Sequence, residues 1–191
     1  MPRVVEYAEV LSAMQALNLR SLYYNSGAFG FETGVEIKST GWICTEDPSL
    51  RPEARELARM IPGAPEVELA NLLARAATEL FPGPVWVMPK SHWAFELDFG
   101  SPAWMPEALR NIGIDPTVLK PRTTGDAIEF TSVEISHFTR FATQLLTNLM
   151  GSDFAVAFPG RPVICTLHHH KQIWWTTTDG STLRSLEQLA S

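Results

Sequence analysis

The run over residues 162–178, PVICTLHHHKQIWWTTT, constrains the fold of this chain more than any other stretch. Its β-branched and aromatic side chains suit a pleated, half-buried surface. It is too long for one strand, since strands seldom exceed about 10 residues. The chain is therefore expected to reverse over 169–171, giving a hairpin with one arm at 163–168 and the other at 172–177. Side chains alternate along a strand. Val163, Cys165, Leu167 and His169 should share one face, and Ile164, Thr166, His168 and His170 the other. Asp179-Gly180 then turns the chain into a short helix over 182–190.

The rest of the chain reads as helices and strands in alternation. A first helix spans 4–17, with Tyr7, Val10, Leu11, Met14 and Leu17 at helical spacing. A short strand over 22–24 precedes a loop marked by Gly27, Gly30 and Gly34. Strands at 35–38 and 41–45 flank a Ser39-Thr40 turn. Asp47-Pro48 reads as a cap, and a helix runs over 52–61 to a break at Pro62-Gly63. Pro65 opens a helix with Leu69, Leu73, Ala76 and Leu80 in a stripe. A strand at 85–88 follows. Over 92–99 the alternation is clean: Trp93, Phe95, Leu97 and Phe99 point one way as core, and His92, Ala94, Glu96 and Asp98 the other. A helix over 106–112 ends at Gly113, and 113–126 reads as a loop-rich connection. A strand at 127–130 leads to a capping box, Thr131 with Glu134, and to the longest helix. Its stripe is Ile135, Phe138, Ala142, Leu145 and Leu149, widened by Phe141 and Leu146. A last strand covers 154–158.

These elements predict one α+β domain over 1–191. It is an antiparallel sheet of six to eight strands with helices mainly on one face. The order helix, strand, strand over 66–99 and again over 134–169 suggests repeated units. Such a sheet leaves part of its other face to solvent, a partner or a ligand.

Composition narrows the function classes. The net charge is −6 and no run of Lys or Arg stands out, which argues against nucleic acid and anionic membranes. Only Cys44 and Cys165 are present, so a disulfide framework is not expected and a reducing, cytoplasmic setting is. Neither a signal peptide nor a membrane span is read from the pattern. Walker, dinucleotide, HExxH, CxxC and GxSxG motifs do not occur. Cys44 sits beside Glu46 and Asp47, which would raise a thiol pKa, so it reads as inert.

Two groups of residues can do more than fold. His168 and His170, two apart on a strand, would present both imidazoles to one side, with Cα atoms about 6.5–7 Å apart. A third ligand would complete a zinc site. His92 is the first candidate, with Glu96, Asp98 and His137 behind it, and Glu96 or Asp98 could also serve as base. The plain alternative is a polar hairpin turn and a solvated sheet face. Trp174 and Trp175 must face opposite ways in a strand, so one can be core and the other an interface residue. The first functional reading is a non-catalytic binding or adaptor module, using a sheet face and aromatics against a protein partner or a second copy of itself. The alternatives are a metal-dependent hydrolase built on His168 and His170, and a small-molecule site under the loop from Gly27 to Gly34.

Overall fold

In a computed structural model, described over residues 1–44, 50–61 and 66–191, the expected hairpin lies within the main sheet. In chain order the elements are β1 (Arg3–Val5), α1 (Tyr7–Gln15), β2 (Leu19–Ser21), β3 (Phe29–Phe31), β4 (Lys38–Ile43), α2 (Pro52–Leu57) and β5 (Ala58–Met60). There follow α3 (Glu66–Arg75), continued by a π-helical turn (Ala76–Leu80), β6 (Val85–Pro89), and α4 (Trp93–Phe95), continued by a second π-helical turn (Glu96–Gly100). Then come α5 (Met105–Asn111), α6 (Pro116–Leu119), β7 (Ala127–Phe130), α7 (Ile135–Asn148), β8 (Phe154–Ala157), β9 (Val163–His168), β10 (Gln172–Thr177) and α8 (Gly180–Leu189).

Eight strands form one sheet in the order β1-β7-β6-β8-β9-β10-β4-β5, antiparallel except for the β4–β5 pair, and β2–β3 form a separate hairpin. The architecture is α+β, as the pattern of strands and helices implies. Alternation decides the two faces. Val87, Phe130, Val156, Cys165, Leu167, Ile173, Trp175 and Trp42 enter the main core with the stripe of α7, along which α3 packs. Trp86, Met88, Ala127, Ala155 and Ile164 point the other way and meet Val10 and Met14 of α1 and Phe29 and Phe31 of β3. β6 and β8 are therefore buried on both faces. Trp175 lies among Trp42, Phe81 and Phe158, with ring centroids 5.1, 5.9 and 6.0 Å away.

Several boundaries differ from the expectation, each for a local reason. Val4 belongs to β1, because Val5 pairs with Ala127, and α1 starts only where Asp126 accepts the backbone N–H of Tyr7. The first glycine loop closes a hairpin between β2 and β3. Gly27 is required there for space: a Cβ would strike the carbonyl of Pro89 and the side chain of Met88. Of the three loop glycines, Gly34 alone has a positive φ, +94°. Residues 38–43 form one strand without a turn, since Ser39 and Thr40 pair with Thr176 and Trp175 and the Thr40 hydroxyl bonds the Leu57 carbonyl. The helix expected over 52–61 gives way at Ala58 to β5. The 113–126 connection contains α6, capped by Asp115 and anchored by buried Leu119. The expected cap at Asp47-Pro48 and break at Pro62-Gly63 lie outside the described residues.

The largest correction concerns 92–99. This is not a strand but α4 and its π-helical turn. Glu96, placed on the exposed side by strand alternation, is buried, while Phe95 and Phe99, placed in the core, are 40% and 78% exposed. An alternating pattern also brings residues i and i+4 together, so Trp93 and Leu97 share a buried helical face as readily as a strand face. The His92 Nδ1 accepts the Phe95 backbone N–H and so caps the turn. The second helix-strand-strand unit is α7-β8-β9, but its first copy is α3-β6-α4.

Candidate functional site

Three strand ends meet at one margin of the sheet. Pro89 at the end of β6 pairs with Phe154 at the start of β8, which pairs with Leu167 near the end of β9. This register puts Lys90, Asp153 and His168 side by side, with His169 next along the chain. The β9–β10 turn is a three-residue loop: Lys171 N–H donates to the His168 carbonyl and Lys171 sits in the left-handed region at φ 60°. That geometry is a common three-residue hairpin form. The turn gathers all three histidines. Ring centroids are 4.2 Å apart for His168 and His169, 4.4 Å for His169 and His170, and 5.0 Å for His168 and His170. One ligand atom from each lies within 4.8 Å of the others.

Asp153 orders the turn. Its Oδ1 accepts the backbone N–H of His169 at 3.2 Å and lies 2.9 Å from His169 Nδ1. A carboxylate there fixes the proton on Nδ1 and leaves the Nε2 lone pair free. The Lys90 ammonium stands 3.8 Å from the other Asp153 oxygen. His168 Nδ1 accepts the His170 backbone N–H at 3.2 Å, which puts its own proton on Nε2. Burial lowers the His168 pKa, opposed by Asp153 and assisted by the neighbouring histidines and Lys90, so its neutral form is favoured. Lys171 turns away to an ion pair with Glu66.

The residue before Asp153 reaches a second polar centre. Ser152 donates to Glu96 Oε2 at 2.9 Å, Ser91 to Oε1 at 2.6 Å, and Ser101 to Oε2 at 3.4 Å. Gly100 makes room for this carboxyl, since a Cβ there would stand 2.6 Å from Glu96 Oε2. Burial raises the Glu96 pKa above the ordinary 4.5, against the lowering effect of the three hydroxyls and of His92. The unfolded chain gives up this proton near the ordinary value. Below it both states are protonated and nothing is lost. As pH climbs from about 4.5 to the raised folded value, the unfolded chain ionises first and stability falls. Glu96→Gln should remove this component. Urea midpoints followed from pH 4.5 to 8 are expected to fall less in the variant than in the wild type, and parallel profiles would refute the assignment.

The structure brings His168 and His170 together, with His168 ending β9 and His170 lying in the turn instead of two places along one strand. The third imidazole is His169, which strand alternation assigned to the opposite face. His92 caps α4 and is not part of this group. His137 lies on α7 with a buried Nδ1 that has no partner among the described residues. Asp98 is engaged with Lys120 at 3.1 Å. Trp175 is core, whereas Trp174 is half-buried, its ring lying over Gly41 on β4 and its Nε1–H donating to Gln172. Cys44 donates to the Lys171 carbonyl at 3.7 Å, and Cys165 is buried, which drives its thiol pKa upward. No helix among the described residues is long and apolar enough to cross a membrane. Comparison with protein-family models, with curated proteins and with solved structures gives no match.

Proposed function

We propose that this chain is a non-catalytic binding module that docks a protein partner through the α4 turn, with Phe95 and Phe99 as the anchoring side chains. The observation that supports this reading is the inversion of the turn, with Glu96 inside and the two phenylalanines outside. Burying a Phe side chain stabilises a fold by about 1.5–3 kcal/mol, and an enclosed carboxyl does the reverse unless it is bonded. The opposite arrangement would be more stable for an isolated chain. This chain instead carries three serines and a glycine that house Glu96. Local rules are broken in this way where the displaced side chains act, and π-helical turns frequently accompany functional sites. The rings of His92, Phe95 and Phe99 form a row, each 6.2 Å from the next. Aromatic anchors of this kind fill apolar pockets on partners.

The partner chemistry follows from the same turn. The partner would offer an apolar pocket wide enough for two rings. The test uses the double variant Phe95→Ser/Phe99→Ser. A protein captured from the source cell by wild type, identified and purified, is expected to bind the wild type at least tenfold more tightly than the variant. Equal affinity for both would sink the proposal. Sedimentation at micromolar concentration distinguishes the second occupant. A dimer that dissociates in the variant would replace the foreign partner with another copy of this chain.

A further inference from the structure

The histidine turn is used neither by the core nor by the proposed docking surface. We propose that it binds one first-row divalent cation, with zinc as the test ion, through His168, His169 and His170. Successive residues in extended chain point to opposite sides, so three adjacent imidazoles converge only because the three-residue loop with left-handed Lys171 turns them together. Zinc–nitrogen bonds of 2.0–2.1 Å in a tetrahedron hold the nitrogens about 3.3 Å apart. The histidine atoms lie within 4.8 Å of one another, a gap that side-chain rotation on a solvent-facing turn can close.

A second, independent feature supports the site. Asp153 holds Nδ1 of His169 at 2.9 Å, the arrangement by which carboxylates orient metal-binding imidazoles. It is itself placed by β8 and flanked by Lys90. Asp153 is therefore a positioning residue, not a ligand. The His168 Nδ1 is occupied by the His170 N–H, so a cation at Nε2 of His168 shifts that proton to Nδ1 and releases the backbone group. The Lys171 charge, which would oppose a cation, is offset by Glu66. Three protein nitrogens leave a fourth position for water, and neutral imidazoles select zinc, copper, nickel or cobalt over magnesium and calcium.

The experiment titrates zinc chloride into untagged protein that has never met a metal-affinity resin and has been stripped with chelator. One zinc per chain is expected. His168→Ala/His169→Ala/His170→Ala should weaken binding at least 100-fold, and Asp153→Asn about 10–100-fold with the stoichiometry unchanged. Cobalt in place of zinc should give the visible bands of a four-coordinate site. His169→Ala, matched to wild type by circular dichroism, serves should the triple variant misfold, and it too must lose binding. Wild-type affinity within threefold of the histidine variants would overturn the proposal. Undiminished affinity in Asp153→Asn would overturn the positioning role.

Discussion

Trp175→Ala is expected to cost about 3–5 kcal/mol, the range for large aromatic side chains removed from a core. For a chain of this size that lowers the melting temperature by roughly 6–20 °C. Trp175 has no exposed surface and lies among Trp42, Phe81 and Phe158, at the place where β10, β4 and the end of α3 are held together. Alanine would leave a cavity that three rigid rings cannot fill. The indole N–H of Trp175 is buried without a partner among the described residues, so Trp175→Phe, which removes that group with little lost volume, should cost far less. Trp174→Ala is the neighbouring control, because its ring covers one glycine from the other side of the sheet. Urea denaturation of the three variants decides the matter. Equal losses at 174 and 175 would mean that the two tryptophans do not divide the faces as described.

Gly125→Ala should be nearly as harmful, with a loss of about 3 kcal/mol, the upper end of the usual overpacking range. A Cβ at 125 would overlap the backbone nitrogen and Cα of Gly27. Backbone atoms cannot rotate aside as a side chain can. The Gly125 N–H also donates to the Asn25 carbonyl at 2.8 Å, so the two segments are bonded where they touch. Moving them apart would break that bond and disturb the β2–β3 hairpin above β6. Gly151→Ala is the comparison, since a Cβ there meets nothing within 4 Å, and its effect should stay within about 0.5 kcal/mol. Thermal melts of the pair give the answer. A Gly125 variant as stable as the Gly151 variant would refute the close approach.

Those two sites mark the boundary of what periodicity reveals. The stripe of α7, its Thr131–Glu134 cap and the β9–β10 hairpin were legible because each is decided by neighbours in sequence. The hydroxyl and backbone N–H of Thr131 both bond Glu134, and a residue pair three apart announces such a cap. The inverted turn after His92 was not legible by alternation. Period 2 and the i,i+4 relation fit the same eight residues, and the choice depends in part on Ser152, contributed by another loop. Flanking Ser91, Gly100 and Ser101 were the available signal, since small polar residues around an acid provide a place to bury it. Gly27 and Gly125 are distant in sequence, so no local pattern relates them. β4 was divided in two because Ser39-Thr40 is good turn chemistry, and only pairing with β10 overrides it. The third histidine escapes the pattern because strand alternation does not hold past His168, where β9 ends.

The margins of the sheet bear on how any partner can approach. The outermost strands, β1 and β5, are three residues each, and each presents an arginine, Arg3 or Arg59. A margin that short offers too few main-chain groups for another chain to extend the sheet, and its charges resist stacking of copies edge to edge. Recognition by strand addition, which relies on a long open row of backbone donors and acceptors, is thereby disfavoured at both ends. Contact falls instead to side chains on turns, where specificity depends on the shape of a few rings and not on the repeating geometry that every polypeptide shares.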